Sequence, residues 1–138
     1  YKRQMLYHST HDRNSDFIRQ CLIELKKPGT HYVTALDVID RALEAPAPCY
    51  YADLYRAAAI MRRAMRDGAL PGGRYACSQM WRDMFADFRT LAARFPGETV
   101  GELVLRLCSG ESGNPRFYIS RRRALELLKP HIRLMPVA

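Results

Sequence analysis

Pro115-Arg116-Phe117-Tyr118, with Ser120 two residues on, repeats the order of Pro48-Cys49-Tyr50-Tyr51 with Asp53 two residues on, and the whole chain can be organised outward from these stretches. Ser120 and Asp53 each stand where a side-chain oxygen can accept from the first free backbone N–H groups of a helix. A helix is therefore expected after each. Asp53 would open one ending at Asp67, with Gly68 as a left-handed terminator, and Ser120 one that Pro130 stops. Upstream, Thr34-Ala35-Leu36-Asp37 and Thr99-Val100-Gly101-Glu102 both place an acid three residues after a threonine, the signature of a capping box. Apolar residues follow each at helical spacing: Leu36, Val38, Ile39, Ala42 and Leu43 in one, Val100, Leu103, Val104 and Leu107 in the other. Further upstream, Phe17, Ile18, Cys21, Leu22 and Leu25 mark a helix closed by Pro28-Gly29. Met80, Trp81, Met84, Phe85, Phe88, Leu91 and Phe95 mark one opened by Ser78 and closed by Pro96-Gly97.

The recurrence extends to single positions. Arg41 aligns with Arg106, Arg56 with Arg123, Ala57 with Ala124, Ile60 with Leu127, Met61 with Leu128 and Arg62 with Lys129. Caps, breakers and core positions that agree in order point to two divergent copies of one helical unit, although the first helices of the copies align poorly. The expected architecture is all-α, about six helices in two pseudo-symmetric three-helix units, with a minor two-stranded ribbon allowed between the Pro-x-aromatic-Tyr segments. A single domain would span 1–138: a flexible arm 1–14, repeat units 15–67 and 78–130, a Gly- and Pro-rich linker 68–77 and a tail 131–138. Each unit would bury its apolar stripes against the other, so neither half is expected to fold well alone.

Positions kept in both copies are candidates for scaffold. Tyr51 and Tyr118 read as core aromatics whose hydroxyls find partners. Arg56 and Arg123 are expected to reach an acid or carbonyl in the preceding helix, with Asp37 and Glu102 as the nearest choices. Trp81, Phe85 and Phe88 are expected to be largely buried.

With 48% hydrophobic and 26% charged residues in 138, the composition is that of an ordinary folded domain. No apolar run approaches the length of a membrane span and no signal-peptide core follows Tyr1-Lys2-Arg3-Gln4, so no membrane partner and a cytoplasmic location are expected. Cys21, Cys49, Cys77 and Cys108 form no CxxC pair and read as reduced core residues. His8, His11, His31 and His131 lack the spacing that would complete a metal site with them, and no cofactor is implied.

The formal charge of +8, with a pI near 9.6, favours a polyanionic partner. The excess is uneven. From Pro115 onward stand Arg116, Arg121, Arg122, Arg123, Lys129 and Arg133 against Glu126 alone. Where the first copy has Cys49, Leu54 and Tyr55, the second has Arg116, Arg121 and Arg122, which gathers cations at a helix start whose own partial charge is positive. A phosphate there would meet N–H donors and guanidinium forks together. These residues form the lead binding segment. Lys129 extends it, and Arg62, Arg63 and Arg66 form a second basic face at a helix C-terminus, where cations are at ease without a ligand. The expected function is a non-enzymatic nucleic-acid-binding accessory protein with mainly phosphate contacts, DNA ahead of RNA. The alternative is a helical interaction or structural subunit of a larger assembly, docking through Met80–Phe95 on a protein partner or on a second copy.

Residues 118–128 resemble the first helix of excisionase-like or MerR-like winged domains, but Pro130 stands where their turn and recognition helix would follow, and no family is claimed. The long connections between second and third helices likewise exceed the tight turn of a helix-turn-helix. No catalytic arrangement is found. Ser109-Gly110-Glu111-Ser112-Gly113 lacks the lysine of a P-loop and the spacing of a nucleophile elbow, and reads as a flexible connector.

Overall fold

The computed structural model describes residues 10–29 and 34–134, with side chains through 131. It is all-helical: α1 Thr10–Lys26, α2 Ala35–Glu44, α3 Leu54–Asp67, α4 Gln79–Arg94, α5 Val100–Cys108 and α6 Arg121–Leu128, followed by a 3-10 helix, Lys129–Leu134. The caps are those the sequence specifies. Thr34 and Thr99 both close full capping boxes: Asp37 N and Glu102 N donate to the threonine hydroxyls at 3.3 and 3.2 Å, and the acids accept the threonine N–H groups in return. Asp53, Ser78 and Ser120 accept from Arg56 N, Trp81 N and Arg123 N, and Gly68 ends α3 in the left-handed region at φ 77°.

Several expectations are corrected. Thr10–Asn14 belong to α1 and not to a flexible arm, while residues 1–9 of that arm, with His8, lie outside the described residues, as do His31 and residues 135–138. Pro130 does not halt the chain's winding: with no N–H it is tolerated in the first turn of the 3-10 helix that extends α6. The ribbon reduces to one isolated antiparallel bridge, Pro46–Arg116, flanked by Ala47 N donating to Pro115 O at 2.9 Å, because proline cannot supply the ladder's next donor.

The helices pack into two cores. One joins α1, α2 and α6 around Phe17, Cys21, Val38, Ile39, Ala42, Ala124 and Leu128; the other joins α4, α5 and α3 around Met84, Phe88, Leu91, Val104, Leu107, Ala57 and Met61. Each core thus takes its third helix from the other side of the linker. Buried positions recur at matched separations: Phe17, Cys21 and Glu24 correspond to Met84, Phe88 and Leu91, and Ala57 and Met61 to Ala124 and Leu128. The proline-led segments cross between the cores. Tyr50 stacks on Tyr118 at 6.3 Å and 12°, and Tyr51 on Phe117 at 6.4 Å and 22°. The tyrosine hydroxyls donate to carboxylates on the first helix of each core: Tyr51 to Asp16 on α1, Tyr118 to Asp83 (2.7 Å) and Tyr50 to Asp87 on α4. Burial, then the carboxylate neighbours, raise the ionisation of all three phenols above the usual range.

The Ser109–Gly113 connector is packed. Glu111 N and Ser112 N return to Arg106 O, Asn114 N donates to Asp87 at 2.8 Å, and a Cβ on Gly110 would collide with the Pro48 carbonyl. On α4, Phe88 is buried, and Trp81 and Phe85, mostly covered, pack against the same core from its margin.

Candidate nucleic-acid interface

Ser120 sets the start of α6 by accepting Arg123 N at 3.1 Å, which brings three consecutive arginines onto its first turn. Their surroundings differ. Arg121 reaches across to α2 and clasps Asp40 with two bonds, Nε at 2.8 Å and Nη2 at 3.2 Å. This fork pins α6 to α2, which makes Arg121 a packing residue as well as a cation. Arg122 projects almost wholly into solvent, its side chain 93% exposed and its Nε 4.0 Å from Glu126. Arg123 donates to the same Glu126 at 3.1 Å.

Arg13, on the first turns of α1, is a fourth cation at this spot. Its guanidinium donates to Asn14 Oδ1 at 3.0 and 3.2 Å and, at 3.5 Å, to Tyr118 O. Partial burial, and then the nearby charge of Arg123, press its proton affinity down, although a guanidinium stays charged across the physiological range. Arg121, Arg122 and Arg123 thus share one helix start, Arg13 stands near enough to Arg123 for their charges to repel, and Asp40 and Glu126 are carboxylates that pair with the three. The N–H groups of Arg121 and Arg122 add donors that the first turn of a helix leaves without intrahelical acceptors.

Other expected site residues lie apart. Arg116 is exposed and donates to Glu44 O at 3.3 Å, on the rim of an open depression of about 270 Å³ formed with Pro46, Pro48 and Asn114. Lys129 is exposed at the far end of α6, roughly 12 Å along the axis from Arg121 by helical rise. Arg62, Arg63 and Arg66 are exposed on α3, which belongs to the other core; Asp67 lies 3.9 Å from Arg63 and 3.0 Å from Arg66.

The scaffold expectation for Arg56 and Arg123 is corrected. Asp37 and Glu102 are spent on their capping boxes, so Arg123 turns to Glu126 on its own helix and the Arg56 side chain stays exposed. The scaffold arginine is instead Arg106, held by Glu98 and Glu111 and lying 4.1 Å over the Phe95 ring. Asp37, Asp53 and Glu102 serve caps, while Asp16, Asp83 and Asp87 hold tyrosines. Asp16 also pairs with Arg19 at 3.3 Å, and the remaining acids of this set are used on neutral donors.

Sequence reasoning missed Arg13, because residues 1–14 carry few apolar positions and read as an arm. Its spacing of four before Phe17 was the available signal. Among the described residues no three His, Cys, Asp or Glu side chains gather as a metal site, and no helix is long and apolar enough to cross a membrane. Among the described residues the exposed large apolar side chains are Ile23, Leu36, Tyr55, Met65 and Leu105, none of them on α4. Compared with protein-family models, curated proteins and solved structures, the chain matches none.

Proposed function

We propose that this protein is a non-enzymatic, cytoplasmic nucleic-acid-binding accessory protein that grips phosphates through Arg13, Arg122 and Arg123, with DNA preferred to RNA. The observation that carries the proposal is the run of three arginines on the first turn of α6 with Arg13 beside Arg123, paired with the carboxylates of Asp40 and Glu126. Like charges held together at the positive end of a helix dipole are unfavourable by themselves, and a bound phosphate relieves both the mutual repulsion and the unfilled N–H groups. Arg121 contributes field and position more than direct contact, since Asp40 occupies its fork. Arg116, Lys129 and the Arg62, Arg63 and Arg66 face extend the footprint. Selectivity for base sequence is modest, because phosphate contacts fix position without reading bases.

Binding to duplex DNA, single-stranded DNA and RNA measured across a salt titration tests this. The triple variant R13A/R122A/R123A is expected to bind duplex DNA more weakly and to lower the log–log salt slope by about 2–3, near 0.9 for each phosphate no longer neutralised. R62A/R63A/R66A is expected to change it less. A triple variant that follows the parent curve on all three nucleic acids would remove the assignment.

A further inference from the structure

Everything that joins residues 10–67 to residues 79–128, apart from the connecting segment, is a non-covalent interface that a second copy presents identically. α3 packs on α5 and α4, and α6 packs on α2 and α1. The Tyr50–Tyr118 and Tyr51–Phe117 stacks, the Tyr50 bond to Asp87, the Arg121 fork on Asp40 and the Tyr50 N bond to Leu107 O all cross between the halves. The connecting segment contributes few of these contacts. It coils through its own turns, Ala76 N to Pro71 O and Cys77 N to Gly73 O, and is tied to the core through Leu70 and through Tyr75, whose ring meets Trp81 edge-on at 5.3 Å. Beyond the adjoining backbone, nothing crowds the place where a Cβ would stand on Gly68, Gly72 or Gly73.

We propose that the chain exchanges halves with a second copy of itself, residues 10–67 of one chain seating on residues 79–128 of the other and the reverse. Both globules of such a dimer keep the packing of the single chain, and only the path of the linker changes. The balance is then set by protein concentration against the effective concentration that the linker confers, on the order of millimolar for a short flexible tether. Opening either globule means exposing Tyr50 and both cores, so the two forms interconvert slowly.

Complementation between full-length chains tests the exchange. I39D/A42D disables the core that contains α2, and V104D/L107D the core that contains α5; each variant alone is expected to lose the parent's thermal transition. Unfolded together in equal amounts and refolded, they can assemble one intact globule from the undamaged halves. The parent's transition should return at about half its amplitude, in a species of two chains. A milder pair, I39A and L107A, gives the same test through a second transition at the parent temperature where each alone melts lower. A mixture whose melting is only the sum of the two separate chains, in both pairs, overturns the proposal.

Discussion

Tyr118 gives its hydroxyl to Asp83 at 2.7 Å from a half-buried position, so removing that hydroxyl strips the carboxylate of a donor and leaves it the Gln79 amide. Tyr118→Phe is expected to cost about 1–3 kcal/mol in urea unfolding, and Tyr51→Phe, which takes the phenol from Asp16, a similar amount. Burial first, with nearby acids and thiols adding to it, pushes the thiols of Cys21 and Cys108 up to about 12 and that of Cys49 up to about 11. Cys77 is exposed, so the expectation that all four are core residues fails there. Thiol alkylation of the native protein should label Cys77 fast and the other three only after denaturant is added. Glu24, 3% exposed, is destabilised as an anion by burial, yet hydrogen bonds from Lys27 and Gln20 and the charges of Lys27 and Arg41 outweigh this and hold its carboxyl below the usual range. A depressed folded value means its stabilisation is present above about pH 4.3, the unfolded value, and is lost as pH falls through the folded one. The urea midpoint should therefore drop between neutral pH and pH near 3, and Glu24→Gln should flatten part of that drop. That the Tyr51 and Tyr118 hydroxyls find partners was legible because a phenol in a core must find an acceptor; that the acceptors are Asp16 and Asp83 was not. Arg56 was misjudged because a cap and a salt bridge compete for the same carboxylate, and spacing alone does not say which wins.

At the scale of elements, helix limits were the most readable feature. Thr34, Asp53, Ser78, Thr99 and Ser120 cap where local chemistry requires, since capping depends on residues three apart and on nothing distant. Thr99→Ala should lower stability by about 1 kcal/mol, with the loss traceable to α5 by amide exchange. The Ser109–Asn114 connector was the element least well read. Glycine is as common in loose loops as in tight ones, and what distinguishes Gly110 is the Pro48 carbonyl that a distant segment brings against it, at φ 83°. Gly110→Ala is expected to destabilise by roughly 2–4 kcal/mol, combining left-handed strain with displacement of the crossing segment. Gly68→Ala, where nothing is crowded, should show the strain alone and lose less.

For the whole molecule, periodicity tells which face of a helix is apolar but not which neighbour receives it. The all-helical class was therefore legible, while the exchange of α3 and α6 between the cores was not. The same limit applied to the basic segment: its residues were visible in sequence, whereas Asp40, which quenches Arg121 from 81 positions away, and Arg13, which reinforces Arg123, are brought there by the fold. The exchange also dictates an order of events during synthesis. The core built on α1 and α2 waits for α6, which leaves the ribosome after α3, α4 and α5, and until then Val38, Ile39 and Ala42 are covered by α1 alone. A nascent chain halted after α3 would carry an open apolar trough beside α1 and α2, a natural client for a chaperone and a natural target for proteolysis.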